Sequence, residues 1–118
     1  MNNYNDIPIF PLKSIILPGG QFPLRIFERR YLDMIRDSLK TNSGFVIALT
    51  KKDADYISSV HDYACYVEIV DWSQLDGGLL GITVEGKSIV TLSNCKLDET
   101  NLLRGNAQQI KSGIDHLI

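Results

Sequence analysis

The sequence predicts a mainly β fold with one helix (α+β), in which about six strands form a small sheet that closes on itself as a barrel. Three observations support this class. Apolar segments of strand length recur about every ten residues, with turn residues between them. One segment, residues 28–40, has helical spacing instead. All four prolines fall within residues 7–31 and interrupt an unusually apolar opening.

The opening is predicted to form two short strands joined by a sharp turn. Pro8 is at an even position and Pro11 at an odd one. In one strand, their missing N–H groups would therefore face the neighbouring strands on opposite sides. An ordinary central strand cannot satisfy that condition, and we expect short extended pieces buried on both faces. The two strands and the glycine turn between them are Ile7–Leu12, Phe22–Ile26 and Leu17–Gly20.

Residues 28–40 have the spacing of an amphipathic helix. Tyr31 or Leu32, Ile35 and Leu39 recur on one face, and charged side chains occupy most other positions. Glu28 suits the positive N-terminal end of a helix, and Lys40 suits the negative C-terminal end. This is the only helix that the sequence predicts.

The rest of the chain is predicted to be extended. The expected strands are Phe45–Thr50, Asp62–Trp72, Leu79–Glu85, Ser88–Cys95 and Leu103–Ile110. Asp76–Gly78 and Glu85–Lys87 carry turn signals, so each is expected to close a hairpin. Lys51–Ser59 is polar and is predicted to be a surface loop.

One phosphate-binding motif matches by letters only. Gly81–Ser88 fits the pattern Gly-x-x-x-x-Gly-Lys-Ser/Thr. Such a loop must open into a helix whose N-terminus faces the phosphate, whereas the residues after Ser88 are β-branched and extended. The context therefore indicates a hairpin, and no nucleotide or other cofactor is expected.

No catalytic or metal-binding residue is expected either. His61 and Cys65 have a spacing that metal pairs use, but a zinc site needs about three or four ligands and the only other histidine is His116. Cys95 is the second of two cysteines, and both are expected to be reduced. The chain has no Gly-x-Ser-x-Gly elbow and no recognisable nucleophile setting.

Composition disfavours several partner classes. The formal net charge is −2 from 12 basic and 14 acidic residues, which gives little attraction to nucleic acid or an anionic membrane. No run has the length of a membrane span, and residues 1–6 lack the features of a secretion signal. The expected location is the cytoplasm.

The opening also holds more large apolar side chains than a small core readily buries. They are either all buried or partly exposed as a groove for extended polypeptide. The candidate substrate- or partner-binding residues are Leu17, Pro18, Phe22, Pro23 and Leu24.

These residues belong to a longer pattern that resembles the Lon protease N-terminal (substrate-binding) domain family. The matching segments are Ile7–Leu12, Leu17–Gly19, Pro23–Glu28, Arg30-Tyr31, Asp71-Trp72, Asp76-Gly77 and Leu79–Gly86. Within this pattern, the residues to which we assign a structural role are Pro8, Phe10, Pro11, Phe27, Glu28, Arg30, Tyr31 and Gly86. Glu28, Arg30 and Tyr31 are expected to start the helix and pack it on the sheet.

The resemblance implies a PUA-like, strongly bent barrel and one domain over residues 1–118, without the helical part that follows it in the family. It implies a free-standing bacterial member or a fragment, with neither the ATPase nor the Ser–Lys peptidase module and hence no enzyme activity. The implied role is recognition of unfolded or degron-like polypeptide, or of a protein partner. The alternatives are a PUA-like RNA-binding module and an assembly domain that forms a homodimer.

Overall fold

The computed structural model describes residues 2–51 and 60–110 of the chain. In these residues six strands form a single sheet accompanied by one helix, in agreement with the predicted fold class, and a 3-10 turn lies at Asp76–Gly78. Their bounds are β1 Asn3–Leu12, β2 Gln21–Ile26, α1 Arg29–Thr41, β3 Phe45–Thr50, β4 Val60–Gln74, β5 Leu80–Leu97 and β6 Leu103–Gln109.

Five of the strands form a barrel-like ring. The order along the sheet is β2-β5-β4-β3-β1-β6, and β5 also pairs with β6, which closes the ring. Strand β2 lies outside it and pairs antiparallel with the first part of β5, from Gln21 opposite Glu85 to Ile26 opposite Leu80. The β1–β3 pair is parallel, and the other pairs are antiparallel.

Strand β3 separates two hydrophobic clusters. Phe45 and Ile47 face a cluster that includes helix α1 and β2. Val46 and Ala48 face the second cluster, which fills the ring. All four residues are buried, as expected for a compact apolar strand with side chains on alternating faces.

Strand β1 contains both early prolines without losing its neighbours. It is one continuous strand, with an irregular register between Tyr4 and Ile7, and it starts earlier than predicted. Pro8 lies opposite β6 just before pairing with β3 begins, and Pro11 lies opposite β3 after pairing with β6 ends at Ile9. Each proline therefore has one side on which no ladder hydrogen bond is required.

Helix α1 lies over the first cluster through Tyr31, Met34 and Ile35, which are buried. Its N-cap residue is Glu28, whose carbonyl accepts hydrogen bonds from the N–H groups of Tyr31 and Leu32. The Tyr31 ring packs against Phe10 of β1, with ring centroids 4.6 Å apart. This contact fixes the start of the helix on the sheet.

The prediction of a hairpin at Glu85–Lys87 is wrong. Strand β5 continues through these residues. In its pairing with β4, Gly86 and Ser88 lie opposite consecutive residues and Lys87 has no partner, so the turn signal marks a β-bulge. The whole of Gly81–Ser88 is therefore extended. The hairpin expected at Asp76–Gly78 is present, whereas most of the predicted loop Lys51–Ser59 lies outside the described residues.

Gly86 is required because another part of the backbone comes very close to it. Its N–H donates to the Gly20 carbonyl and its carbonyl accepts from the Gly19 N–H, both at 2.9 Å. A Cβ atom at position 86 would meet the backbone of Leu17 and would lie 3.1 Å from the Cys65 Sγ. The turn Leu17–Gly20 is thus held flat against the middle of β5.

Gly86→Ala is expected to lower the free energy of unfolding by about 1–3 kcal/mol, because its methyl group overlaps backbone that cannot move independently. Urea unfolding followed by circular dichroism measures this loss. Gly81→Ala is the matched control in the same strand, since its Cβ would lie 3.4 Å from the nearest atom, Leu75 Cδ1. Equal stability of the two variants would contradict the role given to Gly86.

A buried tyrosine joins β4 to the end of the helix. The Gly44 N–H donates to the Tyr66 hydroxyl at 2.9 Å, and the Tyr66 ring stacks on Tyr4 at 4.5 Å between centroids. Tyr66→Phe is expected to cost about 1–3 kcal/mol, because it leaves the buried Gly44 N–H without its acceptor. Thermal unfolding tests this, with the exposed Tyr63→Phe as a control that should leave the Tm unchanged.

Candidate functional site

Several large apolar side chains of the described residues stay in contact with solvent. Three of them are at least three-fifths exposed and lie together: Ile15 (67%), Leu17 (62%) and Tyr63 (66%). Scattered exposed apolar residues are ordinary on a protein surface, whereas a group of them marks a candidate binding site. The others are Phe27, Val70, Trp72 and Leu97.

The three side chains line a depression of about 310 Å³, which we call the apolar cleft. Residues from the β1–β2 connection form one side, and β3, β4 and β5 form the other. Its remaining lining residues are Ser14, Ile16, Ile47, Leu49, His61, Ala64, Cys65 and Ile89. The cleft is lined mainly by hydrocarbon, which suits an apolar side chain better than a charged ligand.

The turn Leu17–Gly20 positions one wall of the cleft. Ile16 is buried in the first cluster, so its neighbours Ile15 and Leu17 are directed away from the core. The backbone of Leu17 cannot retreat, because it rests against Gly86. The apolar cleft is therefore a fixed surface and not a loose loop.

Cys65 at the base of the cleft is not set up as a nucleophile. Burial raises the pKa of its thiol, which outweighs the lowering effect of the backbone N–H groups of Lys87 and Ser88. A thiol of this kind is mostly protonated near neutral pH and behaves as a small apolar residue. Cys65 and Cys95 are both free.

The five predicted binding residues do not form one surface. Leu17 lines the apolar cleft, and the adjacent Pro18 is exposed. Phe22 and Leu24 are half-buried and pack against the first cluster. Pro23 is exposed beside Leu24 in a different depression, near Trp72.

Sequence reasoning missed Ile15 and Tyr63 as candidate site residues. A signal existed for each. Three consecutive large apolar residues, 15–17, occupy a short connection in which a single core cannot take every side chain. Tyr63 is the first residue of the alternating apolar face of the predicted strand Asp62–Trp72, directly after the polar His61 and Asp62, so it lies at the end of that face.

The residues assigned to structure are placed as follows. Glu28 pairs with Arg30, whose Nη2 lies 3.0 Å from Glu28 Oε2. Arg30 Nη1 also donates to the Asn101 carbonyl at 2.9 Å, which links the helix start to the β5–β6 loop. Tyr31 is buried, and Phe27 is exposed. The remaining members, Pro8, Phe10, Pro11 and Gly86, lie in β1 and β5.

The β5–β6 loop is organised by one carboxylate. Asp98 accepts hydrogen bonds from the Thr100 N–H and hydroxyl, from the Leu102 N–H and from Arg104 Nε. Desolvation by itself would raise the pKa of Asp98, but these hydrogen bonds outweigh it and lower the pKa from 3.8 to about 2. The arrangement holds the turn between β5 and β6.

Residues 2–51 and 60–110 give no support for a metal site or a membrane-spanning helix. They contain no group of three or more His, Cys, Asp or Glu side chains that could hold a metal ion. The described helix is too short and too polar to cross a membrane. His61 and Cys65 share the apolar cleft without a further ligand candidate in the described part of the chain.

Comparison with known proteins identifies the class. The family model of the ATP-dependent protease La (LON) substrate-binding domain matches residues 6–116, so the chain belongs to this family. The substrate-binding domain of Lon is non-catalytic, in agreement with the prediction from the sequence. No curated protein matches the chain.

Two solved structures are similar over most of the chain. One is the Lon N-terminal domain protein from Xanthomonas campestris, with TM-score 0.79 and 29% identity over 94% of this chain and 61% of that one. The other is the N-terminal domain of Mycobacterium avium complex Lon protease, with TM-score 0.68 and 16% identity over 91% and 55%. The second supports the fold alone. This chain spans less than two thirds of either.

The lowered pKa of Asp98 predicts a specific acid sensitivity. A carboxylate whose pKa is lower in the folded state stabilises the fold above its unfolded pKa, and this stabilisation is lost as the pH falls from about 3.8 to about 2. Asp98→Asn is expected to show a smaller fall in urea midpoint between pH 5 and pH 2, roughly the window set by these pKa values.

Glu99→Gln is the control for this measurement, because Glu99 is an exposed acidic neighbour in the same loop. It should keep the pH dependence of the wild-type protein. An unchanged pH dependence in Asp98→Asn would contradict the assignment of this acid sensitivity to Asp98.

Proposed function

We propose that this domain binds extended polypeptide, of the unfolded or degron-like kind, and that the apolar cleft takes apolar side chains of the bound segment. The observation that carries the proposal is the grouping of Ile15, Leu17 and Tyr63 around a fixed depression. Membership in a substrate-binding domain family supports it. A role in the cytoplasm and action without a cofactor are parts of the same proposal.

The surroundings of the cleft favour side-chain recognition over a charged ligand. Among the described residues, His61 is the only lining residue that has an ionisable nitrogen, and apart from Ser14 and Cys65 the other walls are aliphatic or aromatic. Burying one leucine-sized side chain there is worth about 1.5–3 kcal/mol. A single anchor of that size gives weak binding, which suits a domain that must accept many sequences and release them.

Binding of a peptide as an extra strand beside β2 is less suitable than binding in the apolar cleft. This strand ends the sheet order, but Pro23 lies in its middle and cannot donate a ladder hydrogen bond. A proline on an outer strand discourages pairing with another chain. Pro23 and the half-buried Phe22 and Leu24 thus have structural roles in this proposal, and Leu17 is the member of the predicted set that we retain for binding.

Ile15→Asp and Leu17→Asp are each expected to weaken binding about tenfold, because a carboxylate replaces an apolar contact worth more than about 1.4 kcal/mol. The probe is a fluorescein-labelled dodecamer of alternating Leu and Ser, followed by fluorescence anisotropy. Leu97→Asp is the matched control, since Leu97 is an exposed leucine outside the cleft. Wild-type affinity in both cleft variants would overturn the proposal.

Two further measurements separate the alternatives. Peptide binding through apolar contacts should persist between about 0.05 and 0.5 M salt, whereas RNA binding should weaken steeply over this range. A concentration-dependent mass that disappears in Leu17→Asp would instead assign the cleft to a homodimer contact.

A further inference from the structure

A second apolar surface lies at the start of helix α1. It is a depression of about 310 Å³ that shares no lining residue with the apolar cleft. Phe27 stands in it with 68% of its surface exposed, the largest fraction among the exposed large apolar residues of the described chain. We call this surface the basic depression. Its other lining residues are Phe10, Pro11, Lys13, Arg25, Ile26, Glu28, Arg30, Tyr31 and Thr50.

The charges around this depression do not cancel. Among the described residues, Lys13, Arg25 and Arg30 line it, and Glu28 supplies the single carboxylate. Arg30 is already engaged, because it pairs with Glu28 and lies 4.9 Å from the centroid of the Tyr31 ring. Lys13 and Arg25 are exposed and make no ion pair with any residue of the described chain.

The helix adds to the positive potential. Its first turn contains Arg29 and Arg30 and no acidic residue, although a helix N-terminus favours negative charge. The Glu28 side chain does not cap the helix and pairs with Arg30 instead. The excess is local, because the whole chain has a formal net charge of −2.

We infer that the basic depression binds an acidic polypeptide segment, which places one apolar side chain beside Phe27 and its flanking carboxylates near Lys13 and Arg25. The apolar floor formed by Phe10, Ile26 and Tyr31 takes the side chain, and the exposed cations Lys13 and Arg25 at the rim select the flanks. This site is distinct from the apolar cleft and has a different selectivity.

A single-stranded nucleic acid fits the same features less well. Stacking of successive bases needs several exposed aromatic faces, but Phe27 is the only exposed ring among the described residues of this depression, since Tyr31 is buried and Phe10 is half-buried. The Glu28 carboxylate at the rim also opposes a phosphate backbone. A peptide can place its carboxylates away from Glu28, whereas phosphates recur at every nucleotide.

The test compares three fluorescein-labelled dodecapeptides by anisotropy: one central Trp flanked by Glu, the same peptide with Lys for Glu, and the Glu peptide with Ser for Trp. The Glu–Trp peptide is expected to bind at least about tenfold more tightly than either of the others. Its affinity should fall about tenfold in the double variant Lys13→Glu, Arg25→Glu and about three- to tenfold in Phe27→Ser.

Matched controls keep the two surfaces apart. Lys96→Glu changes an exposed lysine outside the depression and should not alter binding of the Glu–Trp peptide. Ile15→Asp should leave this peptide bound and weaken only the Leu–Ser probe, whereas Phe27→Ser should do the reverse. Circular dichroism of each variant establishes that it is folded.

Three results would overturn the inference. The first is equal binding of the Glu and Lys peptides, and the second is loss of the Glu–Trp peptide in Ile15→Asp but not in Phe27→Ser. The third is tighter binding of a uridine dodecamer than of the Glu–Trp peptide, abolished by the Lys13→Glu, Arg25→Glu double variant, which would make this a nucleic-acid surface.

Discussion

The contact on which the rest of the structure depends is the close approach of the turn Leu17–Gly20 to Gly86. Two backbone hydrogen bonds of 2.9 Å join Gly19 and Gly20 to Gly86. They tie the first connection of the chain to the middle of its longest strand, and only a residue without a Cβ permits the distance. Strand β2 enters the sheet directly after this turn.

Because β5 is bent at this contact and is not reversed there, it serves two parts of the fold. Its first part pairs with β2, its last part pairs with β6, and β4 pairs with it from Leu80 to Thr91. The first cluster forms under the helix and β2, and the second fills the ring. A hairpin at Gly86 would have separated these two cores.

The same contact helps to determine which surfaces are open for binding. With Leu17 held against Gly86 and Ile16 buried, the connection cannot fold back over its own apolar side chains, and the apolar cleft stays open. The end of β1, the end of β2 and the helix start line the basic depression. The two surfaces differ in chemistry, because among the described residues Lys and Arg side chains line only the second one. Each is proposed to bind a different kind of polypeptide segment.

Local pattern in the sequence was enough for the fold class, the helix, five of the six strands near their observed bounds and the turn at Asp76–Gly78. These depend on periodicity and turn residues, which are properties of neighbours in the chain. The family pattern was also readable, since it lies in short ordered motifs. The binding residues themselves stay a prediction.

Only the tertiary structure decided what Gly86 does, because a glycine in an extended segment can mark a turn, a bulge or a close approach, and the approaching residue is far away in sequence. The tertiary structure likewise decided which apolar residues remain exposed to solvent. Phe22 and Leu24 pack against the first cluster, whereas Ile15, Tyr63 and Phe27 are exposed. Burial depends on the packing of distant elements, so the sequence alone determined that these residues are apolar, and the three-dimensional arrangement determined which of them meet solvent.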